Sequence, residues 1–277
     1  PEPTWTLLNA NGYHVGTNHK IDMNYFFGID NKILNSQLTI PRFQNSGKTK
    51  NDFLVYQAKI QNNKWQIEIV NCEQNKNFYF INSNLSNNDN IFFLAKDNDI
   101  KIFEEIHFSK LLNLNKFTDT SPEFRSNLQI YNQDGGFSSY QSEYPYSMIV
   151  KQGSILSPVS VLCNNDAEIN LVFIKNIYEY PIKKEFKVYF LNIKTRIIIK
   201  EQLIYTNYTN EIIIEKDLIK PEIFLYTDKY LGVPMFVSIH NSNISFEHTH
   251  PPQSYISSHD TFKKTSELKK EISEIIN

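Results

Sequence analysis

The sequence predicts a mainly β protein: two antiparallel, β-sandwich-like domains followed by a short C-terminal helix. Three observations predict it. Apolar and polar residues alternate with the period of a strand buried on one face, as in Trp65-Gln66-Ile67-Glu68-Ile69. The apolar positions are filled by Ile, Val, Phe and Tyr, which fit a pleated, half-buried surface, and aromatic residues reach 14% of the chain. Clusters rich in Asn and Asp separate these segments at short intervals. Such side chains tolerate left-handed backbone and bond their own main chain, so the clusters read as turns.

In the first half the pattern predicts strands at 33–40, 52–60, 65–69, 76–82 and 90–95, with turns at Asn62-Asn63 and Asn87-Asn88-Asp89. The stretch 104–115 fits a helix through Phe103, Ile106 and Leu111, and fits an edge strand followed by a loop as well. A polar segment, Phe117 to Pro122, follows and ends in proline, as a domain boundary would. The expected division is a β domain over 1–115, a second over 116–256, and a helical segment over 257–277. In the second domain strands are expected at 126–131, 154–162, 168–176, 186–191, 196–206, 210–215, 222–227, 233–240 and 243–248. Near the end, Ser266 can cap a segment in which Leu268, Ile272 and Ile275 fall at i, i+4 and i+7. That stripe is narrow, so the helix is expected to dock on a sheet or on a partner chain.

Composition excludes several classes of function. The 277 residues carry 28 Lys+Arg against 30 Asp+Glu, a net charge of -2. So balanced a chain offers no cationic surface for nucleic acid, whose non-specific binding rests on neutralising phosphates. No apolar run approaches the length of a membrane span. Gly is scarce at 8 residues, and neither of the common glycine-rich nucleotide-binding motifs occurs. Cys72 and Cys163 stand far apart without a CxxC pair, so they read as ordinary thiols rather than a disulfide framework or zinc site. The first residues lack a basic segment followed by an apolar one, which makes the cytoplasm the expected compartment, although a mature secreted chain would look the same. Asn, Ile and Lys are abundant while arginine occurs only at Arg42, Arg125 and Arg196, the accent of AT-rich codons.

Two segments could carry chemistry. In Glu247-His248-Thr249-His250-Pro251-Pro252, strand alternation puts His248 and His250 on one face, able to chelate one divalent metal ion. The two prolines then stop the strand beside the pair. Neutral histidines at strand ends also bond backbone without any such role, and the pair is compatible with that too. His14 and His19 form a second, looser group that an ordinary loop explains. The other segment is 134–147, where Gly135-Gly136 precede Ser138, Ser139, Tyr140, Gln141, Ser142 and Glu143. Hydroxyls, an amide, a carboxylate and aromatic faces together are what a sugar or another polyhydroxylated ligand requires. Arg125 lies just upstream, a planar fork suited to a carboxylate or phosphate.

The functional expectation is a protein that handles a carbohydrate or another polar small molecule at a site in the second domain. Arg125, Ser138, Ser139, Tyr140 and Gln141 would bind the ligand. His248, His250 and Glu143 would supply acid–base chemistry, or the two histidines a metal acting as Lewis acid. The rival is a non-catalytic interaction or assembly module that binds a protein partner, or a second copy of itself, through its sheets and terminal helix.

Overall fold

A computed structural model describes residues 24–42, 53–96, 126–133, 135–140, 143–145, 153–248 and 259–276. Nearly every alternating segment becomes a strand, and the strands assemble into four antiparallel sheets. The chain divides at Val150/Lys151 into two units, with Ile177–Ile182 assigned to the first.

The N-terminal unit holds β1 (Asn24–Phe26), β2 (Asn35–Pro41), β3 (Phe53–Gln61), β4 (Lys64–Ile69), β5 (Glu73–Gln74), β6 (Phe78–Asn82), β7 (Ile91–Lys96), β8 (Asn127–Tyr131), β9 (Phe137–Tyr140) and β10 (Glu143–Pro145). Sheet I runs β10-β1-β7-β3-β4 and sheet II runs β5-β6-β2-β8-β9. The β3–β4 hairpin closes on Asn62 and Asn63, both at positive φ (52° and 57°), the two-residue turn whose twist suits flanking strands. Sheet II alternates cleanly. Ser36, Leu38, Ile40, Tyr79, Ile81, Leu128 and Ile130 are buried on one side, and the Tyr79 hydroxyl donates to the Phe53 carbonyl of β3. Within sheet I, Tyr56 stacks on Phe93 with centroids 5.8 Å apart.

Four of these strands lie where no strand was expected. β1 and β5 are too short to show a period. β9 begins the segment read as a loop: Gly135, at φ 92°, turns the chain, and the Asn132 carboxamide oxygen accepts the Gly136 N–H at 3.0 Å. Phe137–Tyr140 then runs back along β8. The alternation of four residues is too brief to stand out among so many hydroxyls. β10, also inside that segment, pairs with β1.

The C-terminal unit holds β11 (Leu156–Pro158), a helical turn α1 (Val159–Leu162), β12 (Ile169–Asn176), β13 (Glu185–Asn192), β14 (Ile197–Tyr205), β15 (Tyr208–Ile213), β16 (Ile223–Thr227), β17 (Val233–His240), β18 (Asn243–His248) and α2 (His259–Ile276). Sheet III is β11-β16-β13-β14 and sheet IV is β15-β12-β17-β18. They share a core of Phe186, Val188, Phe190, Ile204, Ile223 and Leu225 against Val172, Ile174, Ile212, Ile214 and Phe236. The strand expected over 154–162 stops at Pro158 and continues as α1. Pro158 is the last paired residue and the extended N-cap of the turn, and without an N–H to give a ladder it marks where the strand ends.

The open corner between β14 and β15 is closed by side chains. Lys200 and Gln202 of β14 donate to the carbonyls of Ile213 and Glu211 on the edge of β15, and Lys200 also pairs with Glu215 at 2.6 Å. Helix α2 lies on the outer face of sheet III, where Leu268, Ile272 and Ile276 pack on Tyr189, Leu191 and Tyr226. The expected docking on a sheet is realised, with Ile276 in the place predicted for Ile275. The segment 104–115 lies outside the described residues.

Candidate functional site

The register of sheet II defines its open face residue by residue. Directly paired residues of antiparallel strands point to the same side, so each row across the sheet can be read from the pairing. One row is Glu73, Phe80, Thr39 and Asn127. The next is Asn82, Gln37, Gln129 and Ser139. A third is Asn35, Tyr131 and Phe137, and Phe78 opposite Pro41 lies beyond the first. Apart from the buried Pro41, all of these are half-buried or exposed, whereas the alternate residues of the same strands are mostly buried.

The face therefore carries aromatic side chains at two ends and amides between them. Phe78 and Phe80 lie side by side on β6, with ring centroids 6.3 Å apart. At the other end Tyr131 of β8 stands opposite Phe137 of β9, and Phe137 is 64% exposed. Asn35, Gln37, Asn82, Asn127 and Gln129 fill the ground between, and the Gln37 amide donates to Asn82 Oδ1 at 2.8 Å. Among the described residues of the face, only Glu73 is charged, and β5 is the edge strand. Planar rings give stacking surfaces, and carboxamides give paired donors and acceptors in fixed planes. Together they are suited to hydroxyl-rich ligands.

The residues expected to bind a ligand are divided by the fold. Ser139 joins the open face beside Gln129. Ser138 and Tyr140 have the opposite parity and stand opposite Ile130 and Leu128, on the buried side of the sheet. Arg125 and Gln141 lie outside the described residues. Glu143 is fixed by its backbone alone, opposite Phe26 in the β1–β10 pairing. Asn35, Gln37, Asn127, Gln129, Phe80 and Tyr131 join this face without belonging to any motif in the sequence. The amides stand at the polar positions of alternating strands, a pattern that by itself marks only a solvent-facing side.

His248 ends β18, opposite Met235 and on the same side as Phe246 and Ile244, while Glu247 is exposed on the other. His248 and Glu247 thus fall on opposite faces, as strand alternation requires. His250 lies outside the described residues. Among the described residues no three His, Cys, Asp or Glu side chains are grouped to hold a metal ion. β18 belongs to the C-terminal unit, and β9 and β10 to the N-terminal one, so the two expected segments fall in different units.

A second polar group occupies one face of sheet I. Glu68 accepts from Gln57 (3.1 Å), Lys59 (3.1 Å) and Gln66 (2.7 Å), and Asn90 donates to Gln57 at 2.8 Å. The bonds from Lys59 and Gln57 hold the Glu68 carboxyl below its ordinary range, so it stays ionised. These side chains satisfy one another, which suits a surface brace better than a reactive group. The thiols are equally unsuited to chemistry: burial pushes Cys163 up to about 12 and raises Cys72 too.

Fold and face together define a mainly β protein with a sheet surface whose described residues are chiefly aromatic and amide. No protein-family model, curated protein or solved structure matches the chain.

Proposed function

We propose that the protein binds carbohydrate, with the ligand lying on the open face of sheet II. The observation that carries this reading is the row structure of that face: Phe80, Tyr131 and Phe137 around Asn35, Gln37, Asn127, Gln129 and Ser139. Sugars present apolar ring faces and a rim of hydroxyls, and bind where stacking surfaces alternate with amide donors and acceptors. Phe137 and Ser139, both from the 134–147 segment, support a polyhydroxylated ligand on this face. A catalytic form of the reading, with His248, His250 and Glu143 as acid–base or metal-holding groups, draws no support from the described residues.

The test is a glycan array probed with the full chain and with Phe137→Ala. Phe137 is exposed enough that its loss leaves the core untouched. The expected result is selective binding by the parent chain and its loss in the variant. Absence of any glycan signal would count against the reading. The rival, a non-catalytic module that binds protein, is favoured by one observation in the other unit: Ile197, Ile199, Leu203 and Tyr205 of β14 and Ile213 of β15 are exposed on two edge strands. Leu203→Lys would then abolish complex formation while leaving glycan binding unchanged.

A further inference from the structure

We infer that the ligand of sheet II is a neutral, extended polysaccharide, held at both aromatic ends of the face at once, rather than a single sugar or an anionic polymer. This rests on the carbohydrate reading above and narrows it.

Length is the first argument. Phe80 is paired in the row of Thr39 and Asn127, whereas Tyr131 and Phe137 share a row four residues further along β8. With strands about 4.8 Å apart and about 3.4 Å per residue, the two aromatic ends are separated by roughly 17–20 Å across the sheet diagonal. A monosaccharide cannot touch both. A chain of several sugars crossing the diagonal would stack at each end and pass over Asn82, Gln37 and Gln129 between them, within reach of their amides.

Charge is the second. A surface that recognises uronates, sulfates or phosphates needs cations, and none of the residues in these rows is Lys or Arg. Arg42, next to Pro41, has the parity of the buried side and lies over the Tyr79 ring, 4.8 Å from its centroid, while Arg125, two residues before Asn127, lies outside the described residues. Glu73 at the edge would repel an anion rather than attract one. The complement of such a face is an uncharged, hydroxyl-rich chain.

Openness is the third. Small-ligand sites are concave and enclose most of what they bind, whereas this surface is one side of a five-stranded sheet. Contacts must therefore be gathered along a ligand, not around it.

The experiment uses the full chain, a set of neutral homopolysaccharides (glucan, mannan, xylan and galactan), and polygalacturonate as the anionic probe. Affinity electrophoresis ranks the polymers. Calorimetry then follows fragments of the best one, from the monosaccharide to the hexasaccharide. The expected result is retardation by a neutral polymer, unchanged between low and high salt, and affinity that climbs at least a hundredfold along the fragment series. Phe80→Ala and Phe137→Ala should each weaken the hexasaccharide about tenfold, the loss of one aromatic contact. Gln129→Ala, at the middle of the face, covers the case in which Phe80→Ala fails to fold. Equal affinity for monosaccharide and hexasaccharide would overturn the extended ligand while leaving the carbohydrate reading standing. Preference for polygalacturonate, weakened by salt, would overturn neutrality alone. Failure of every carbohydrate would remove the reading on which the inference rests.

Discussion

Asparagine looks, in composition, like a by-product of codon bias, yet individual asparagines hold the C-terminal unit together. Asn210 is buried, accepts the Tyr205 N–H at 2.8 Å, and donates to the carbonyls of Tyr205 and Ile174. Asn170 accepts from the Asn164 N–H and the Ser238 hydroxyl and donates back to the Asn164 carbonyl. A carboxamide is the neutral side chain that both donates and accepts in one plane, so it can complete a turn that backbone alone leaves open. Lys269 shows the opposite economy. It projects from α2, donates to the Ser154 carbonyl just before β11 at 2.5 Å, and burial lowers its pKa to about 8 from the usual 10.5. A depressed lysine pKa means that the charged form is disfavoured in the folded state. Its cost is fully present below about pH 8 and fades as pH rises towards the unfolded value. Lys269→Met should therefore raise stability at pH 7 by about 1–2 kcal/mol, discounted from about 3 for partial exposure and the lost hydrogen bond. Denaturant unfolding of both proteins from pH 7 to pH 10.5 checks this. Their difference should shrink over that range, and a difference that does not change with pH would contradict the assignment.

At the scale of elements, α2 is amphipathic by sequence, and docking on sheet III determines which of its residues are buried. Ile272 is 1% exposed among Tyr189, Leu191 and Tyr226, whereas Ile275 is only half-buried. Deleting methylenes from a packed site loses their transfer energy and leaves a cavity. Ile272→Ala should cost about 2–4 kcal/mol, and Ile275→Ala under about 1.5 kcal/mol, in chemical denaturation monitored by circular dichroism. Equal costs would mean that the helix does not rest on the sheet as described. The edge strands illustrate a related point. The exposed carbonyls of β15 are met by Lys200 and Gln202, so the corner of the sandwich is protected without a ladder of backbone bonds.

Over the whole molecule, charge is balanced, and among the described residues lysines meet glutamates on neighbouring strands. Lys187 meets Glu201 at 2.8 Å on the surface of sheet III, and Lys59 meets Glu68 at 3.1 Å on sheet I. Pairing of this kind leaves no stripe of unmatched cations among the described residues to track a phosphate backbone. The full chain should not retard duplex or single-stranded nucleic acid in a mobility-shift assay at physiological salt. Submicromolar binding that weakens as salt rises would show a cationic surface after all.

The sequence by itself determined the mainly β class, most strands and the terminal helix, because period and turn chemistry are local properties written along the chain. It determined the Asn62-Asn63 turn for the same reason. Tertiary structure decided what the polar half of each strand does. Asn35, Gln37, Phe80, Gln129 and Phe137 are scattered over more than 100 residues, and only strand order and register bring them into adjacent rows. It also decided between neighbours in the 134–147 segment. A single step along a strand reverses the direction of a side chain, so Ser139 faces out while Ser138 and Tyr140 face in. Composition could name the residue types of a site there, but only the pairing of β9 with β8 could say which side of the sheet each one serves.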